Sequence, residues 1–127
     1  MSLDSNKILA RAWFEEVMNA RDLDAIDRAY AADYAYRGPG GEPVRGREGA
    51  RRVAAALHEA MPDRVSTVVM QVAEGDLVVT RWVSHGTQTG PLMGRPPTNQ
   101  PVEVHGITIS RIEDGLIAED WEIIKIL

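Results

Sequence analysis

The feature that most constrains this chain is a change of hydrophobic period at Pro62. Before it, apolar side chains recur every three or four residues, the spacing of helices with one buried stripe. After it, segments rich in Val, Ile and Thr are separated by glycine-containing turns, the pattern of antiparallel strands. In 127 residues two independent domains would each be marginal, so the helices are expected to cover the sheet. The expected fold is α+β, one domain over residues 1–127: a curved antiparallel sheet wrapping three N-terminal helices.

The period predicts a helix over 7–20, with Ile8, Leu9, Ala12, Trp13, Val17 and Met18 on its stripe and Asp4 or Ser5 as cap. A second helix follows, with Asp22 as its cap and Leu23, Ile26, Ala29 and Tyr30 inward. Residues 33–37 read as a short strand, 38–46 as a loop, and a third helix runs over 47–61 until Pro62 stops it. Strands are predicted over 65–73, 77–89, 102–112 and 116–127, with tight turns at 74–76 and Asp114-Gly115. Residues 90–101, punctuated by Gly90, Pro91, Gly94, Pro96, Pro97 and Pro101, form a rigid excursion of the kind that covers a site.

Composition excludes several functions. The net charge is −5, and phosphate binding needs clustered Lys and Arg, so no nucleic-acid partner is expected. The concentration Arg45, Arg47, Arg51 and Arg52 is interleaved with acids and reads as a solvated helix face. Cysteine is absent, which removes thiolate metal sites and a thiol nucleophile. His58, His85 and His105 lack metal-ligand spacing, so neither metal nor cofactor is expected. No apolar run approaches a membrane span and no signal-peptide pattern opens the chain, which gives the expectation of a soluble, cytoplasmic protein without a membrane partner.

Asp120 is the most telling single residue. It sits in Leu116-Ile117-Ala118-Glu119-Asp120-Trp121-Glu122-Ile123-Ile124-Lys125-Ile126-Leu127. Alternation places it with Leu116, Ala118, Glu122, Ile124 and Ile126, and places Glu119, Trp121 and Lys125 opposite. A carboxylate on such a face holds its proton to higher pH, which suits acid/base work. It equally suits a hydrogen-bond acceptor for a neighbouring strand or an Arg. In Val102-Glu103-Val104-His105-Gly106-Ile107-Thr108-Ile109 the apolar phase switches at His105-Gly106, which predicts a bulge. Counted from the Asp114-Gly115 turn, Asp120 falls opposite about 109 and His105 opposite about 124. Pairing therefore does not bring His105 onto Asp120, although both can line one cavity. His85 reads as a strand-end or pocket residue. Trp13, Phe14, Tyr30, Tyr34, Tyr36 and Trp82 serve either as cavity walls or as core.

The ordered set of motifs resembles the SnoaL-like polyketide cyclases, of the nuclear-transport-factor-2-like superfamily. The resemblance is carried by Trp13-Phe14-Glu15-Glu16-Val17-Met18, Gly46-Arg47-Glu48-Gly49, Met61-Pro62-Asp63, Gly86-Thr87-Gln88-Thr89-Gly90 with Gly94-Arg95-Pro96-Pro97-Thr98, and Asp114 to Glu122. It implies a cone enclosing one deep pocket and a homodimer or higher homo-oligomer formed through the outer sheet face. It also implies an intramolecular aldol closure without cofactor, with Asp120 as acid/base and His105 lining the pocket. This chain departs from many relatives in having Tyr36-Arg37 where they carry histidine.

The resulting expectation is a cofactor-independent enzyme acting on an apolar, carbonyl-bearing small molecule. Asp120 and His105 would be catalytic, and Trp13, Tyr34, Trp82 and His85 would bind substrate. The alternatives are a cofactor-free hydroxylase or epoxide hydrolase, with a second carboxylate and an Arg such as Arg81 near Asp120, and a non-catalytic binding or dimerising domain.

Overall fold

The computed structural model describes residues 2–127. Helix α1 (Leu3–Ala10) begins earlier than its apolar stripe suggested. Ser2 and Ser5 form a reciprocal capping box there, each side chain accepting from the other's backbone N–H. The chain then widens into a π-helix over Trp13–Asn19. The change of winding alters the buried stripe: Ile8 is exposed, while Phe14, Val17 and Met18 are buried. Next come α2 (Ala25–Ala29), β1 (Tyr30–Arg37), β2 (Val44–Arg45) and α3 (Gly46–Ala60). Four long strands complete the chain: β3 (Val65–Glu74), β4 (Leu77–Thr87), β5 (Pro101–Glu113) and β6 (Leu116–Ile126).

The six strands form one curved, unclosed sheet in the order β2-β1-β6-β5-β4-β3. All neighbours are antiparallel except β1 and β6, which run parallel. That one non-local pairing lays the tyrosines of β1 beside the carboxylates of β6. The helices cover the concave face, where Val17, Met18, Ile26, Tyr30, Val78 and Ile117 form one buried cluster and Phe14, Met61, Trp82, Leu92 and Val104 another.

Two register details decide what reaches that face. Glu113 pairs with Leu116 and Ile112 with Ile117, as the two-residue turn requires, but Arg111 pairs with Glu119. Ala118 is therefore an extra residue, and strand phase flips across it. Leu116 falls on the face opposite Asp120, contrary to simple alternation, and Asp120 pairs with Ser110 rather than Ile109. At His105-Gly106 the pairing with both neighbours runs unbroken, so the predicted bulge does not exist. The phase switch has another cause: the concave face of β5 turns from Val104 through Gly106 to Thr108 and Ser110, leaving Ile107 and Ile109 outside. Gly106 lies beneath Trp82, where a Cβ would stand 2.1 Å from the indole Cζ2.

The excursion after β4 folds back over the concave side. Leu92 is buried in it, and the buried Gln88 pins it by donating from Nε2 to the Pro96 carbonyl at 3.0 Å. Gly90 passes so close to α3 that a Cβ would meet the Glu59 carbonyl oxygen at 2.7 Å.

Candidate active site

On the concave face β6 presents two carboxylates, Asp120 and Glu122, one strand period apart, roughly 6–7 Å along the chain. Each is held by a tyrosine from β1 and a hydroxyl from β5. Tyr34 donates to Asp120 Oδ2 at 2.6 Å and Ser110 donates to Oδ1 at 2.5 Å. Tyr36 donates to Glu122 Oε1 at 2.6 Å and Thr108 donates to Oε2 at 2.6 Å. Thr108 in turn accepts from the Trp82 indole N–H at 3.0 Å. The spacing of two residues is shared by all three strands, so one pattern is written twice.

Asp120 is 6% exposed. Burial pushes its carboxyl up to about 7, working against the two hydroxyl hydrogen bonds, and the charges of Glu122 and Glu119 add to the rise. Burial likewise raises Glu122, opposed by Thr108, Tyr36 and the positive charge of Arg64. Tyr34 is raised well above an ordinary phenol by burial and by Asp120, so it stays a protonated donor. Neither carboxylate belongs to any ion pair among the described residues.

The carboxylates open on a cavity of about 300 Å³, a size suited to a small organic ligand. Its walls are largely apolar: Trp13, Phe14, Tyr30, Val53, Leu57, Trp82, Leu92, Met93 and Ile124, with Pro39 and Gly40 from the 38–43 loop. Arg64, immediately before β3, also lines it. Among the described residues no group of three or more His, Cys, Asp or Glu is arranged to hold a metal, and no residue is assigned to a metal or cofactor.

Of the residues singled out from sequence, Asp120, Trp13, Tyr34 and Trp82 come together at this cavity. His105 and His85 do not. Both project from the convex face, where Glu103 bridges them, at 2.8 Å from His105 Nε2 and 3.3 Å from His85 Nδ1. The expectation that they line the pocket is corrected by strand parity: their neighbours Val104, Gly106 and Ser84 face inward instead. Arg81 is exposed on the same outer side and is no partner for Asp120.

Sequence reasoning missed Ser110, Thr108 and Arg64, named Tyr36 only as a wall or core aromatic, and read Glu122 only as a weakening of the apolar face. A signal for the hydroxyls existed in β5, where Thr108 and Ser110 alternate with Ile107 and Ile109. Arg64 gave none, because burial of a lone cation just after a helix-ending Pro-Asp has no sequence signature.

Comparison with known proteins finds a matching family and the same fold. The family model for SnoaL-like polyketide cyclase matches residues 8–126. A candidate SnoaL-like polyketide cyclase from Jannaschia sp. CCS1 superposes with a TM-score of 0.87 at 27% identity, covering 96% of this chain and 86% of that one. IdmH, a candidate polyketide cyclase from Streptomyces antibioticus, gives 0.81 at 34% identity over 94% and 91%. AclR, a candidate hydroxylase from Streptomyces galilaeus, gives 0.81 at 27% over 98% and 91%. None of the curated proteins matches the chain.

Proposed function

The chain belongs to the SnoaL-like polyketide cyclase family, and from that premise we propose that it is a cofactor-independent acid/base enzyme that abstracts a proton α to a carbonyl. The observation that carries this reading is Asp120: a buried carboxylate facing an apolar cavity, free of any ion pair, its carboxyl pushed up to about 7 by burial. A base poised near ambient pH both accepts and returns a proton readily.

In the aldol form of the reaction, ionised Asp120 takes the proton from a carbon flanked by carbonyls. The electron pair left behind delocalises into those carbonyls as an enolate. The enolate carbon attacks a second carbonyl of the same molecule, forming the ring bond, and the new alkoxide recovers the proton from Asp120. No atoms are gained or lost. Tyr34 and Ser110 hold the carboxylate in one orientation throughout, and the cavity's apolar walls, Trp13 and Trp82 among them, bind the carbon skeleton.

The deciding experiment is exchange of α-protons in D2O on polyketide-like β-keto esters, comparing wild type with Asp120→Asn. Loss of roughly 10²–10⁴-fold is expected for a general base. Normal exchange by the variant on a substrate the wild type turns over would remove Asp120 from the role.

A second reading, hydrolytic addition of water to an epoxide, is favoured by one observation: Glu122 supplies a second carboxylate beside Asp120, and the positive charge of Arg64 acts on it. A protonated carboxyl could then activate an epoxide oxygen while the other orients water. Incorporation of ¹⁸O from labelled water, absent from a ring closure, separates the two readings. The third reading, a binding or dimerising domain without turnover, predicts ligand binding with no exchange at all.

We assign self-association to the convex face, where Val72, Leu77, Ile107, Ile109, Trp121 and Ile123 are exposed together. Ile123, 77% exposed, is the point to test. Ile123→Lys should convert a dimeric or larger mass, read by light scattering, to that of the monomer; a monomeric wild type would sink the assignment.

A further inference from the structure

Arg64 is 7% exposed and in the enclosed interior its guanidinium lacks a carboxylate. It enters no ion pair among the described residues. Its protein partners are two neutral hydroxyls, Ser66 at 3.4 Å from Nε and Ser84 at 3.1 Å from Nη2. A guanidinium carries five N–H groups in a rigid fork, and Nη1 donates to no protein atom among the described residues. The group is held in place by Trp82, whose ring centre lies 5.9 Å from Cζ. A buried cation left without an anion is costly unless function requires it.

The two carboxylates of the site do not need Arg64. Asp120 and Glu122 each have both oxygens bonded, through Tyr34 with Ser110 and Tyr36 with Thr108. Arg64 feels Glu122 and Tyr36 electrostatically, and burial brings it down only to about 10, so it stays charged at neutral pH. Arg64 is one of the residues that line the cavity.

We propose that Arg64 is a ligand-binding residue that receives a carboxylate of the substrate, at the end of the cavity away from Asp120. Planar bidentate pairing suits guanidinium and carboxylate. The substrate is then a carbonyl compound with two ends: an acidic carbon at Asp120, and a free carboxylate beyond Glu122, further along the cavity. An ester or ketone lacking that carboxylate would leave the cation unmatched and bind more weakly. This rests on the cavity being the ligand site of the reading above, but not on Asp120 being the base.

Binding, rather than turnover, tests it. The fluorescence of Trp13 and Trp82 reports entry of 2-naphthoate or of its neutral counterpart, 2-acetonaphthone. Wild type should prefer the carboxylate by about tenfold or more, the effect of a charge-assisted pair. Arg64→Met should erase that preference while holding the ketone within roughly threefold, because Ser66 and Ser84 remain bonded to each other at 2.7 Å. Arg64→Lys should restore part of it. Wild type showing no preference would overturn the proposal without any variant, and so would an Arg64→Met protein that weakens both ligands equally. Asp120→Asn should keep the naphthoate preference even when exchange is lost, so the ligand assignment and the base assignment fail separately.

Discussion

The two faces of the sheet carry the same kinds of residue under opposite conditions. On the convex side Glu103 sits between His105 and His85 in solvent, and the hydrogen bond from His105 holds its carboxyl below the ordinary range. On the concave side Asp120 sits between Tyr34 and Ser110, and burial carries its carboxyl upward in spite of two hydrogen bonds. A carboxylate beside a histidine looks like an acid/base pair in a sequence, yet here it is surface chemistry. The difference teaches that desolvation, not the neighbour's identity, decides whether a carboxyl on this sheet is pushed toward neutral pH.

The largest test of that contrast is thermodynamic. Asp120 keeps its proton to about 7 when folded, against an ordinary value of 3.8. The folded state thus binds more protons between those values, so stability is fullest below the lower one and falls as pH rises through 7. Asp120→Asn removes this slope and should gain on wild type by up to ~4 kcal/mol above pH 7, with the gain vanishing toward pH 4. Thermal melts at pH 4.5 and pH 8 measure it, and an equal gap at both would contradict the shift.

Gly106→Ala comes next. It drives a methyl into Trp82 on the crowded face and should cost about 1–3 kcal/mol in denaturant unfolding. A neutral result would mean that the indole has room to move.

A finer effect is expected from Glu122→Gln, which deletes a charge that raises Asp120. The acid limb of the exchange profile should move to lower pH, and a shift upward would break the electrostatic picture. The smallest effect belongs to the convex face. His105→Ala should leave exchange within about twofold and stability within about 0.5 kcal/mol. A large loss of exchange there would return the outer face to the mechanism.

Much of the fold was legible along the chain. The break at Pro62, the turns at 74–76 and Asp114-Gly115 and the excursion after β4 depend on local periodicity and backbone preference, and they stand where the pattern put them. Helix starts were less legible, because the Ser2–Ser5 capping box extends α1 beyond its apolar stripe. In the site, Asp120 was visible as a polar residue in an apolar strand, and its aromatic neighbours Trp13, Tyr34 and Trp82 were available by type.

What alternation could not tell is which face looks inward. Both sides of β4, β5 and β6 are apolar enough to pass for a core, so His85 with Val79 and Val83 looked as buried as Trp82 with Val78. The sequence by itself determined most of the elements and their order, since these follow from interactions within a few residues. Only the tertiary structure decided that the extra residue Ala118 sets Asp120 opposite Ser110, that β1 joins β6 in parallel, and that Arg64 enters the cavity unpaired. Those outcomes depend on contacts between residues ten or more positions apart, and on how deeply the folded chain buries each charge.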